Sequence, residues 1–178
     1  MDFLPKGYEL PEKTSGYMKF EQGENRFRVL GSAITGYEFW ADTAEGGRKP
    51  LRFKMDQSFT EKDLQGANPE EKKHFWAFPA WNYTAGKVQI LEITQSTIQK
   101  AIRALVANPK WGDPKEYDLV VHKTGEKLDT DYQVTPDPKE ELPEELLTLY
   151  RGTYIELDAL FRGENPFEEK VNLYPAYL

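Results

Sequence analysis

The ten residues His74–Tyr83, HFWAFPAWNY, carry five Phe, Trp or Tyr rings and read as a β-strand. Successive side chains of a strand point to opposite faces, so a strand with one buried face needs rings only at alternate positions. Here His74, Trp76, Phe78, Ala80 and Asn82 share one phase, and Phe75, Ala77, Pro79, Trp81 and Tyr83 share the other. Both phases carry rings, so at least one is covered by a further element or held out for a ligand. One face must lie inside, which assigns roughly half of Trp76, Phe78, Trp81 and Tyr83 to a core. Pro79 can reset the alternation, which leaves open which half.

The flanking segments extend this strand into a β-rich domain. Upstream, Arg26–Trp40 (RFRVLGSAITGYEFW) predicts one long strand with Gly31 and Gly36 at the bulges of a strong bend. RKPLRFKM then alternates, and residues 56–73 read as a loop with two short helical turns, capped by Thr60 with Asp63 and by Asn68 ahead of Pro69. Downstream, Ala85 and Gly86 turn the chain into KVQILEI, which completes a hairpin. TQSTIQKAIRALVAN predicts a helix capped at Thr94 or Thr97, with Ile98, Ala101, Ile102, Leu105 and Val106 in one stripe and Asn108-Pro109 as its stop. YDLVVHK and TDYQV predict two further strands. Long strand, hairpin, helix and two strands is the order of an OB-fold, a mainly β five-stranded Greek-key barrel with a helix between strands 3 and 4.

The expected organisation is an irregular lead-in over 1–25, the barrel over 26–137 and an acidic extension over 138–178. That extension predicts two short amphipathic helices, one with Leu146, Leu147 and Tyr150 on one face, the other behind a capping box of Thr153 and Glu156 leading to Leu157, Leu160 and Phe161. The net charge is −7, but residues 136–178 hold ten acidic and four basic side chains, leaving nineteen basic against twenty acidic before them. Acidity is thus a property of the extension, and a polyanionic ligand is compatible with the rest.

Composition removes several chemistries. Without cysteine there is no disulfide, thiolate nucleophile or cysteine-ligated metal. With His74 and His122 as the only imidazoles, a histidine-based triad or metal cluster is disfavoured. There is no glycine-rich phosphate loop, no GxSxG and no metal-spaced acidic triplet, so we expect no enzyme, cofactor or metal. Trp111, in NPKWGDP, reads as a loop anchor. No apolar run reaches membrane-spanning length and the first residues lack a secretory pattern, which points to a cytoplasmic protein with no membrane partner.

Rings and cations coincide between Tyr37 and Tyr83, where ten of the twenty-four aromatic residues fall. That mixture suits single-stranded nucleic acid, because every base offers a face to stack and every nucleotide a phosphate. In RFRV the alternation sends Phe27 and Val29 inward and Arg26 and Arg28 outward. In RKPLRFK it sends Leu51 and Phe53 inward and Arg48, Arg52 and Lys54 outward. Surface strands are ordinarily decorated with basic residues, but two such rows beside surplus rings favour phosphate tracking. The candidate binding residues are Arg26, Arg28, Tyr37, Trp40, Arg48, Arg52, Lys54, Lys72, Lys73, Trp76, Trp81 and Tyr83.

YMKFEQGENRFRVL, the tryptophan-rich strand and above all AWNYTAGKVQILEITQSTIQKAI resemble the core of bacteriophage single-stranded-DNA-binding proteins of the T4-like helix-destabilising kind. The resemblance covers about residues 17–135 and rests on pattern and order. It implies an OB-fold that coats single-stranded DNA, with RNA as the other polymer to test, during phage replication, recombination and repair in the host cytoplasm. It also implies that the acidic C-terminal region contacts replication or recombination proteins. The zinc module of the T4-like proteins has no counterpart, since residues 41–73 lack cysteine and histidine, and the basic N-terminal arm is missing. Two other classes fit the residues. A carbohydrate-binding module would also show tryptophans on a β-surface but needs no basic rows, and an adaptor acting through its acidic helices would keep every ring in the core.

Overall fold

The computed structural model describes Phe3 and residues 16–170; the expectations for residues 1–15, Phe3 apart, and for 171–178 lie outside it. The described chain forms β1 (Tyr17–Met18), β2 (Gly23–Val29), β3 (Ile34–Asp42), β4 (Arg48–Lys54), β5 (Lys73–Asn82), β6 (Lys87–Ile93), α1 (Ser96–Ala107), β7 (Asp118–Thr124), β8 (Asp131–Pro136) and α2 (Glu144–Arg151). Short 3-10 turns occupy Glu61–Leu64 and Pro69–Glu71 where the loop over 56–73 was expected to coil, and a longer one spans Leu157–Arg162.

The aromatic strand β5 is the spine of the sheet. One edge pairs with β6 along its length, while the other serves two partners in succession, β3 in its first half and β2 in its second. The expected single strand Arg26–Trp40 is therefore two strands, interrupted at residues 30–33. Gly31 lies in that gap, where a Cβ would press on the Tyr150 hydroxyl and the Pro79 ring at 2.6 and 2.9 Å. Gly36 is not a bulge: it stays in register with Lys54 and Phe75, and a Cβ there would collide with the Phe53 carbonyl.

β7 returns to pair with β2, and β8 pairs with β7. The fold is mainly β with a mixed sheet and few helices, but it has eight strands among the described residues in place of five. β4 adds to the free edge of β3, and β1 adds to β6 in parallel. α1 starts after Gln95 without a side-chain cap, so neither Thr94 nor Thr97 serves. Ile98 and Ile102 are buried as expected, Val106 is exposed, and Gln99 takes a buried place by donating to the carbonyls of Ile93 and His74. Thr153 does not form the expected capping box; its hydroxyl donates to Leu149 and the 3-10 turn begins after Glu156.

Three cores answer the question of the doubled rings. On one face of the sheet Phe27, Phe78, Leu91, Ile98, Tyr117 and Leu119 form the main core, with Trp76 and Trp111 at its edge. Farther along the same face, Phe39, Phe53 and Leu64 make a second core beneath the loop, with Phe59 stacked on Phe53 at 4.6 Å. On the opposite face Phe75, Ala77 and Ile90 are covered by Leu160, with Ile155, Leu157, Phe161 and Phe167 packed around them. The acidic extension is thus a second wall of the sheet as far as it is described, and both phases of β5 are buried.

Burying a leucine side chain contributes about 1.5–3 kcal/mol and cavity formation adds to its loss. Leu160→Ala should therefore destabilise the fold by about 2–4 kcal/mol in denaturant unfolding. A loss below about 0.5 kcal/mol would mean that the extension is only draped on the sheet.

Candidate nucleic-acid interface

Of the two basic rows, Arg48 and Lys54 reach solvent as alternation suggests and Arg26 does so in part, but Arg28 and Arg52 do not. Arg28 is 2% exposed, its Nε donates to Asp118 Oδ1 at 2.7 Å, and its Nη1 donates to the carbonyls of Lys115 and Glu140. Arg52 is 10% exposed and bridges two carboxylates, Glu38 at 3.1 Å and Glu92 at 2.6 Å. The outward placement of Arg28 and Arg52 is therefore corrected: the face they point to is lined by carboxylates and crossed by the extension. Arg26 is half-exposed but ion-paired with Asp137 and close to Asp118. Arg48 lies in the open, 3.7 Å from both Asp42 and Glu71. Lys54 sits over the Phe161 ring, and Lys73 is exposed.

The candidate rings divide among three places. In the first, Tyr37 stands opposite His74 and Thr35 opposite Trp76 on the β3–β5 ladder, so Tyr37, His74 and Trp76 form a half-buried strip between the main and second cores. Trp76 Nε1 donates to His74 Nε2 at 3.2 Å, and His74 Nδ1 donates to the Gly36 carbonyl at 2.9 Å, which fixes the tautomer with its proton on Nδ1. Lys72 lies 4.6 Å from the Tyr37 ring centre. At its Trp76 end the strip opens into an apolar cleft of about 440 Å3 between the β2–β3 bend and α1, with Phe78, Ile102 and Val106 on its walls and Arg103 and Lys115 at its rim.

In the second place, Trp40 is 37% exposed and donates from Nε1 to Glu38 Oε1 at 2.8 Å. It borders a separate pocket of about 510 Å3 with Arg52, Lys73 and Glu92. In the third, Trp81 and Tyr83 meet edge to face at 6.4 Å, and the Tyr83 hydroxyl donates to Asp118 Oδ1 at 2.8 Å. Burial and that carboxylate push the Tyr83 hydroxyl up to about 12. Tyr83 is thus part of the Arg28–Asp118 network.

Residue patterning missed His74 as a member of the strip, because that place depends on its cross-strand partner Tyr37, and missed Arg103 and Lys115 at the rim of the cleft, because α1 and the residues before β7 reach it only through the tertiary fold. It also missed Glu38, Glu92 and Asp118. The available signal for these was a carboxylate at an alternate position of an otherwise apolar strand, as in KVQILEI and YDLVV.

Glu92 makes the buried network sensitive to pH. Burial pushes its carboxyl up to about 8, with the hydrogen bond to Glu38 acting in the same direction and Arg52 opposing it. A carboxyl whose folded value lies above its ordinary 4.5 adds stability that is complete below that value and is lost as pH rises through about 8. The melting temperature should accordingly fall between about pH 4.5 and about pH 8, and Glu92→Gln should flatten the fall. An unchanged profile in the variant would remove Glu92 as its source.

Among known proteins, the chain is 26% identical over 139 residues to a "Probable ssDNA-binding protein" of Escherichia phage T5, a match covering 66% of this chain. It spans about half of that relative, 53% of its length. No family model matches the chain, and no solved structure does.

Proposed function

We propose that this chain binds single-stranded DNA with little sequence preference, by stacking bases on Tyr37 and Trp76 and by phosphate contacts from Lys72, Arg103 and Lys115. The observation that carries this reading is the Tyr37–His74–Trp76 strip, three partly open rings in a row on one hydrogen-bonded ladder with cations along its border. Stacking is indifferent to base identity and phosphates repeat with every nucleotide, so such a strip holds a strand without reading it. Among the described residues Arg103 has no carboxylate partner and Lys72 is engaged only with a ring, so both can meet a phosphate without first breaking an ion pair. The name of the T5 relative supports the same ligand.

Residues 26–137 are read as the binding domain, an OB-fold elaborated by β4 and the loop that follows it, acting as a binding protein and not as a catalyst. Work on phage DNA in replication, recombination and repair, within the host cytoplasm, is the setting proposed. The acidic outer surface of 138–178 is the proposed contact for replication or recombination proteins. No helix among the described residues is long and apolar enough to cross a membrane.

Titration with oligo-dT should quench tryptophan fluorescence, and Trp76→Ala should weaken binding at fixed salt by about 1–3 kcal/mol. With about three to four phosphates neutralised, log K should fall against log salt with a slope of about −2 to −3, since each contact on a single strand gives about −0.7. A salt-independent affinity, or an affinity untouched by Trp76→Ala in a variant of native circular dichroism, would refute the assignment.

A further inference from the structure

The pocket beside Trp40 is separate from the stacking strip. Trp40 and Glu38 lie on the face of the β3 ladder opposite to Tyr37, and the pocket opens there between β1, β4 and β6. Its volume of about 510 Å3 is within the roughly 300–1,000 Å3 of small-molecule sites. Three features define its chemistry. Trp40 offers an exposed flat face, Lys19 and Lys73 stand exposed at the mouth, and the Glu38–Arg52–Glu92 network forms part of the lining. Within that network the two carboxyls differ. Both Glu38 oxygens are already engaged, one by Trp40 Nε1 and the other by Arg52 Nε, and the side chain is 3% exposed. Glu92 accepts from Arg52 through Oε2 and is 18% exposed, so it is the carboxyl that a guest can reach.

We propose that this pocket is a single-base subsite that takes a nucleobase bearing an exocyclic amine, stacked on Trp40 and hydrogen-bonded to Glu92, with the adjoining phosphates at Lys19 and Lys73. The proposal rests on the single-strand reading above and adds to it a local preference. Cytosine and adenine present an amine that a carboxylate accepts, whereas thymine presents a carbonyl oxygen at the same position and is repelled. The groups facing Glu92 are Glu38 from β3, Arg52 from β4 and Tyr17 from β1, with Lys73 of β5 and Lys19 at the mouth. Burial raises the Tyr17 hydroxyl above its ordinary 10.0, so Tyr17 remains neutral where Glu92 titrates. As Glu92 loses its proton it becomes a pure acceptor, and the preference for an amine strengthens.

The test compares a labelled oligo-dT with an oligonucleotide of equal length in which alternate thymines are replaced by cytosines, using fluorescence polarisation on the full chain at fixed salt. Wild type should bind the mixed strand several-fold more tightly, up to about tenfold for one good contact. That ratio should widen from about pH 6.5 to about pH 8.5, and Glu92→Gln should abolish the widening. The wild-type pH dependence needs no variant, so it stands even if Glu92→Gln fails to fold. Equal affinities at both pH values, or a pH-dependent preference that survives Glu92→Gln, would overturn the subsite while leaving the single-strand reading intact. Failure of both oligonucleotides to bind would overturn the two together.

Discussion

The burial of β5 on both faces organises the rest of this molecule. A strand with Phe78 and Ala80 in one core and Phe75 and Ala77 in another leaves its backbone no freedom to slip, because a one-residue shift would exchange the contents of two filled compartments. Its edges are committed as well, to β6 on one side and to β2 and β3 on the other. With register fixed, the positions where rings escape burial are fixed too. They lie at the ends of the cores and not on a dedicated open face.

Electrostatics follows the same frame. Arg28 and Arg52 occupy a face that the extension crosses, and each is neutralised by carboxylates from strands remote in sequence. Ion pairs of this kind add little net stability over apolar packing, but removing one partner leaves a charge that the interior cannot solvate. They hold β2 to β7, and β4 to β3 and β6, in one arrangement. Cations on the margins stay within reach of an external anion, Lys72 before β5 and Arg103 on α1 among them, while Lys115 before β7 is shared with Asp113 at 3.5 Å.

Local signals were legible and remote ones were not. The periods of 3.6 and 2 located α1, the β5–β6 hairpin, β7 and β8, and Asn68 with Pro69 marked a short turn. Alternation also sorted Phe27, Val29 and Phe53 to the interior. It failed for Arg28 and Arg52 because it distinguishes two faces without saying which is wet. The wall supplied by Leu160 and Phe161 comes from more than eighty residues downstream of Phe75, and Asp118 from ninety residues beyond Arg28. No pattern within RFRV or RKPLRFK encodes either. Tyr37 and Trp76, named as candidates from the pattern, are half-buried in the fold, whereas their neighbour His74 was read as an ordinary strand residue because its place in the strip depends on a cross-strand partner.

The strip's floor also bears on the shape of what it can hold. Tyr37 and His74 face one another across a continuous antiparallel ladder, and His74 is tied to the Gly36 carbonyl. No hinge separates the two sides of this seat, so its curvature is set before any guest arrives. On the proposed single-strand reading the bending falls to the guest, a demand that an unpaired polymer with free torsions meets at little cost and a stiff double helix, with a persistence length of about 150 base pairs, does not.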